Sequence, residues 1–260
     1  MNPYTKSFFQ EQAERSEASA ARVLPELLSL LSPKSAVDVG CGVGTWVKTL
    51  KSHGVEDSLG IDGSYVDRAS LLIQADSFFA CDIQEPIVLA RTFDLAISLE
   101  VAEHLSFERA QSFIADLCKL APVVLFSAAI PGQAGTNHIN EQWPTYWAAL
   151  FKQNRFVIVE RFGERFWSDP SVGPEYAQNM FIYASESTLA ANPKLRSLHT
   201  AAGRLIDIVH PYYWDHVGLR RVVKILPNAV SMAARRRIGW YRKGSASKSA
   251  AGTQELNEQT

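Results

Sequence analysis

The chain has 260 residues, 47% of them hydrophobic and 20% charged, enough apolar material for one domain of about 200 residues with appendages or for two small domains. A formal net charge of −1 excludes a globally basic nucleic-acid binder but allows local basic patches. The cysteines Cys41, Cys81 and Cys118 are odd in number and lack metal-ligand spacing, which fits reduced thiols in a cytoplasmic protein better than a disulfide framework. Residues 1–7 have no apolar signal-peptide core, and the longest apolar run, 121–130, falls short of the roughly 18 residues a membrane span requires.

In chain order, residues 8–31 repeat apolar side chains at helical spacing (Phe8, Ala21, Val23, Leu24, Leu27, Leu28, Leu31) and predict a helix that Pro33 terminates. A strand is expected at 35–39, a helix at 44–53, a strand at 58–61 ending in Asp62, and a short strand near 78–81 ending at Asp82. The strand at 93–99 is the clearest of the later ones, followed by a helix at 104–120 and an apolar strand at 123–127. Such alternation predicts an α/β fold with a mostly parallel sheet covered on both faces. Beyond residue 130 come a glycine-containing loop (131–140), an aromatic helix (143–153) and two strands (156–162 and 178–184) parted by a Pro/Gly loop. The expected division is a helical cover at 1–33, a core domain at 34–185, a helical basic extension at 186–243 and a disordered polar tail at 244–260.

The junction after the first strand carries the strongest chemical signal. Val37-Asp38-Val39-Gly40-Cys41-Gly42-Val43-Gly44 reads D-x-G-x-G-x-G, whereas a dinucleotide loop reads G-x-G-x-x-G. Glycines let a ligand approach the backbone, and a carboxylate two residues before the first glycine repels a pyrophosphate while attracting a cationic nucleoside. The stretch resembles the first motif of class I S-adenosylmethionine-dependent methyltransferases. The resemblance implies a Rossmann-like seven-stranded sheet whose last pair is antiparallel, with S-adenosyl-L-methionine as methyl donor. It also implies Asp38 facing the amino-acid end of the donor, with Gly40, Cys41 and Gly42 making room for it.

Asp62, 22 positions after Gly40, stands where nucleotide-binding α/β folds place a ribose-binding carboxylate, with Gly63 beside it; an ordinary N-cap is the competing reading. By the same resemblance, Asp82 and Ile83 would meet the adenine, unless Asp82 is simply a loop cap, and Leu99 would pack on the ligand.

Ser98-Leu99-Glu100-Val101-Ala102-Glu103-His104-Leu105 follows the fourth strand, and a helix starting there would put Glu100, Glu103 and His104 on one face. Two carboxylates and an imidazole suit a general base or a metal site, while acidic residues also favour a helix N-terminus on electrostatic grounds alone. The segment resembles the E-x-x-E-H stretch of polyprenyl-quinone and small-RNA O-methyltransferases. That resemblance implies a divalent cation such as Mg held by Glu100, Glu103, His104 and a later histidine, for which His138 is available. His138, His104 and Glu103 are the candidates for removing an acceptor proton.

His138 and Glu141 lie in a loop followed by Trp143, Tyr146 and Trp147, which can form a lid over a sugar or ring substrate or pack into the core. Residues 220–243 contain eight Lys or Arg and no acidic residue, interleaved with apolar side chains and interrupted by Pro227. A helix docked on the core, peripheral attachment to an anionic membrane surface and a polyanion grip are the three readings. The expectation is a cytoplasmic enzyme, at most peripheral to the inner membrane, that methylates an oxygen of a small-molecule, sugar or glycan-linked acceptor. Nucleic acid is not the expected acceptor. A non-catalytic methyltransferase-like binding domain and an NAD-dependent oxidoreductase are the alternatives, the second disfavoured by the glycine spacing.

Overall fold

The structure is a computed structural model that describes residues 6–133, 135–200 and 206–215. Seven strands form one sheet: β1 (Ser35–Val39), β2 (Asp57–Asp62), β3 (Phe78–Ala80), β4 (Leu95–Leu99), β5 (Val123–Ser127), β6 (Phe156–Glu160) and β7 (Phe181–Ser185). Their order is β3-β2-β1-β4-β5-β7-β6, with the first five parallel and β7 antiparallel to both β5 and β6. This is the mostly parallel, Rossmann-like sheet expected from the sequence.

Helices cover both faces because the central strands are apolar on both. Val37 and Val39 of β1, Ala96 of β4 and Val124 and Phe126 of β5 join one core cluster. The intervening Ala36, Leu95, Ile97, Val123 and Leu125 join a second cluster, as a two-residue side-chain period requires. The first cluster is closed by α3 (Phe107–Leu120) and α4 (Pro144–Gln153) through Phe113, Leu117, Trp147 and Phe151. The second is closed by α1 (Lys6–Leu31) and α2 (Thr45–Ser52) through Val23, Leu24, Leu27, Trp46 and Leu50, so the N-terminal helix is a docked cover.

From β1 the sheet grows one way to β2 and the other way to β4, and the crevice at the carboxyl ends of these strands is where ligands sit in open α/β sheets. Three expectations are corrected near that edge. Residues 102–104 form a single 3₁₀ turn, and the helix expected from 104 starts at Phe107, capped by the Ser106 hydroxyl on Arg109 N. Glu100, at the strand end, has φ +56° and is outside any helix, so the shared helical face of Glu100, Glu103 and His104 does not form. Gln178 and Asn179, read as the start of the last strand, close the helix α5 (Pro174–Asn179), and β7 begins at Phe181.

After β7, α6 (Glu186–Ala191) and α7 (Pro193–Thr200) continue the fold, with Leu195 of α7 fully buried in the second cluster. The helix α8 (Tyr212–Asp215) ends the described chain. The basic segment 220–243 and the tail 244–260 lie outside the described residues.

Candidate active site

Gly40, with φ +86°, is forced to be glycine by geometry: a Cβ there would fall 2.3 Å from Val101 Cγ2. Gly42, with φ +54°, has nothing within 4 Å of its Cβ position, so this part of the loop faces open space. The crevice it borders is lined by Asp38, Gly40, Cys41, Gly42 and Leu99, five of the residues expected at the donor. Val43 of the same loop and Ser16, Thr45, Trp46 and Tyr176 complete the lining, and sequence reasoning named none of these five as site residues. Val43, Thr45 and Trp46, in or close behind the glycine loop, had a sequence signal; Ser16 and Tyr176 come from remote helices.

Asp38 is 3% exposed, and its Oδ2 has no hydrogen-bond partner. Burial, and then the charge of Asp62, push its carboxyl up to about 8. An orphaned carboxylate on a glycine-floored crevice fits a cationic ligand group, and thereby the amino-acid end of the expected donor.

Asp62 is buried beneath the loop, where Oδ2 accepts from Gly42 N at 2.7 Å and Oδ1 from Gly63 N at 2.7 Å and Tyr65 Oη at 2.5 Å. It caps no helix; Asp67 caps the following 3₁₀ turn. Asp82 and Ile83 stand outside the crevice lining. The exposed Asp82 makes a local turn bond to Gln84 N, and Ile83 is buried in the first core cluster.

Beyond β4, a second group of polar side chains assembles. Glu103, His104 and His138 each offer a ligand atom within 4.8 Å of the others. Glu103 is fully buried and neither carboxylate oxygen has a hydrogen-bond partner; His138 Nε2 is 4.0 Å from its Oε1. Burial, followed by the charge of Glu100, holds the Glu103 carboxyl well above the usual range. The rings of His104 and His138 meet edge to face at 4.9 Å. Burial, then His138, lower His104 to about 4, so its ring is neutral near pH 7 with an unpartnered Nδ1. His138 Nδ1 pairs with Glu141 Oε1 at 3.1 Å, which leaves Nε2 directed at the cluster.

Glu100, the fourth expected metal ligand, stands beside this cluster rather than in it. Its oxygens accept from Gln133 Nε2 at 2.8 Å and Asn179 Nδ2 at 3.2 Å. Burial and Glu175 raise it to about 7 against the opposing bonds from Asn179, Ser127 and Gln133. The aromatic helix divides its roles: Trp147 is buried against Phe126, while Trp143 is 40% exposed beside the loop. Among the described residues, no helix is long and apolar enough to cross a membrane.

A family model described as "Methyltransferase domain" matches residues 9–162, more than half of the chain. No curated protein matches it. Among solved structures, the sugar N-methyltransferase KedS8 from Streptoalloteichus sp ATCC 53650 is similar at 14% identity and a TM-score of 0.51, over 65% of this chain and 87% of that one. The S-adenosylmethionine-bound amino pentose methyltransferase CalS10 from Micromonospora echinaspora gives 14% identity and a TM-score of 0.50, over 71% and 98%. At such identities the likeness speaks for the fold.

Proposed function

Because the chain belongs to the methyltransferase-domain family of class I S-adenosylmethionine-dependent enzymes, we propose that it methylates a hydroxyl oxygen of a small-molecule, sugar or glycan-linked acceptor. The observation carrying this reading is the buried, unpartnered Glu103 carboxylate facing two histidines next to the donor crevice. An oxygen nucleophile must lose a proton, and this cluster supplies bases for it.

When bound, S-adenosylmethionine supplies a methyl carbon made electrophilic by its sulfonium. Asp38 receives the cationic amino-acid end, and Gly40, Cys41 and Gly42 clear the space. Asp62, with Gly63, would take the ribose hydroxyls from beneath the loop and Leu99 would pack on the adenine side, with Asp82 and Ile83 farther along the same strand edge and outside the crevice lining. Holding donor and acceptor in line is worth about 7–11 kcal/mol of the barrier. His138, oriented through Nδ1 by Glu141, accepts the acceptor proton at Nε2. His104 is the second candidate base, and an imidazolium formed 4.0 Å from Glu103 would draw that carboxyl toward its ionised form.

The same three side chains offer one buried carboxyl and two imidazoles, a donor set that suits a borderline divalent cation better than Mg, which prefers oxygen ligands. Such an ion supplies Lewis-acid activation of a hydroxyl. The exposed Trp143 and residues 135–140 offer a wall for a ring-shaped acceptor. The acid-free basic segment 220–243 supports peripheral attachment of a cytoplasmic enzyme to an anionic membrane surface. Liposome flotation of the full chain and of a 220–260 deletion tests this; an intact chain that ignores anionic vesicles ends it.

Calorimetry with S-adenosylmethionine and with NAD, followed by assay of S-adenosylhomocysteine release over a panel of hydroxylated acceptors, tests the enzyme reading. Binding of the first ligand alone, with acceptor-dependent release, is expected. Turnover only with amine acceptors would overturn the oxygen assignment.

A further inference from the structure

Three residues far apart in sequence meet on the wall of the donor crevice: Ser16 of α1, Trp46 of α2 and Tyr176 of α5. Trp46 Nε1 donates to Ser16 Oγ at 3.0 Å, and Ser16 Oγ lies 3.2 Å from Tyr176 Oη. The Trp46 and Tyr176 rings pack edge to face at 5.5 Å. The residues are 9%, 5% and 7% exposed, so the trio is a built, nearly dry surface. It is also anchored. Arg22 of α1 pairs with Asp169 at 2.8 Å, Gly173 N donates to Ser19 Oγ at 3.0 Å, and Lys48 of α2 pairs with Glu17 at 2.7 Å. The first two contacts tie α1 to the segment leading into α5, and the third ties it to α2.

Counting protons shows what this surface offers. An indole nitrogen only donates, and a hydroxyl carries one proton. The indole proton is spent on Ser16, and the bond between the two hydroxyls consumes one of their two protons, whichever donates. One hydroxyl proton is left over, and no further acceptor among the described residues takes it. Burial and the charge of Glu175 raise Tyr176, so its phenol stays protonated at neutral pH.

The same crevice presents the opposite need in Asp38, a buried carboxylate whose Oδ2 lacks a partner. Among the described residues, no lysine or arginine lines it. A surface offering one carboxyl that a bound cation would hold ionised and one neutral hydroxyl donor is complementary to an α-amino acid zwitterion. The ammonium belongs at Asp38 and the carboxylate at the hydroxyl pair.

We infer that Ser16 and Tyr176 form the subsite for the α-carboxylate of the donor's amino-acid end, which makes the N-terminal helix part of the cofactor site. The inference rests on the methyltransferase reading, but the two fail separately. Wild-type protein that binds no S-adenosylhomocysteine sinks the cofactor reading itself.

The test compares, by calorimetry on the full chain, S-adenosylhomocysteine with its decarboxylated analogue, which keeps the amine and lacks the carboxylate. Wild type should prefer the carboxylated ligand by about tenfold or more, the worth of one hydrogen bond to a charged group. Ser16→Ala and Tyr176→Phe each leave one hydroxyl proton and should keep part of that preference. The double variant should lose most of it while binding the decarboxylated analogue as wild type does. Near-equal binding of the two ligands by wild type overturns the inference without any variant. An equal loss for both ligands in the double variant also overturns it, since that is what a purely structural trio would show.

Discussion

His138 Nε2 stands 4.0 Å from the buried Glu103 Oε1, and the loop between them is pinned by Ile139 N and Asn140 N, which both donate to the Glu103 carbonyl at 2.9 and 3.0 Å. One residue thus holds the loop through its backbone and faces the loop's histidine through its side chain. Breaking the side-chain relationship while keeping the backbone should separate catalysis from binding. Glu103→Gln and His138→Asn are expected to lose about 10²–10⁴-fold in turnover. Their affinity for S-adenosylhomocysteine should stay near that of wild type, as calorimetry can check.

The same cluster predicts a response to divalent cations. A saturating borderline divalent cation should raise the melting temperature, since a ligand at about 100 times its dissociation constant adds about 2.7 kcal/mol. Glu103→Gln should abolish the rise, and chelation should depress wild-type turnover. Full activity after exhaustive chelation would exclude a required ion.

Asp38 predicts a pH dependence with a definite sign. Its carboxyl is raised to about 8 in the folded chain, from 3.8 when unperturbed. The folded state therefore holds a proton that the unfolded chain releases. The stability this contributes is fully present below about 4 and is lost as pH rises toward 8. The donor's ammonium requires the ionised form, so ligand affinity should strengthen over the same rise. Asp38→Asn should flatten both profiles between pH 5 and 8 and weaken S-adenosylhomocysteine binding; denaturant melts and titrations across that range report them.

The loop glycines should fail in different ways. Gly40→Ala drives a Cβ to 2.3 Å from Val101 at φ +86°, so a loss of about 1–3 kcal/mol in unfolding free energy is expected. Gly42→Ala meets no atom within 4 Å, so its strain at φ +54° is the main cost to the fold. Its methyl group occupies space kept for ligand, and binding should suffer more than melting.

Arg109 and Asp116 form a buried ion pair at 2.7 Å, and the guanidinium also donates to the carbonyls of Ile83 at 3.0 Å and Glu85 at 2.9 Å. This pins the strand-end loop that carries Asp82 and Ile83. Asp116→Ala strands a buried cation and should cost about 3–5 kcal/mol, while the Arg109→Met/Asp116→Leu double variant should cost less. Chemical denaturation of the three proteins measures the difference.

Local chemistry set the scaffold of this protein. The alternation of apolar strands with amphipathic stretches dictated a parallel sheet, and the D-x-G-x-G-x-G run dictated a tight, side-chain-free turn, because both depend on neighbours within a few residues. The candidate-site residues followed in part: Asp38, the glycines and Asp62 could be proposed from the loop pattern, Glu103 and His104 from their place after the fourth strand, and His138 from the family resemblance. Their arrangement could not. Glu100 leaves the expected helical face because β4 runs on into a left-handed residue whose amide bonds to Ser127, and Gln133 and Asn179 then take its carboxylate. The convergence of His138 on Glu103, and of Ser16 on Trp46 and Tyr176, was decided by how helices and loops pack across the sheet edge. Contacts between residues so far apart in sequence have no periodicity to betray them; they exist only once the core fixes where each backbone runs.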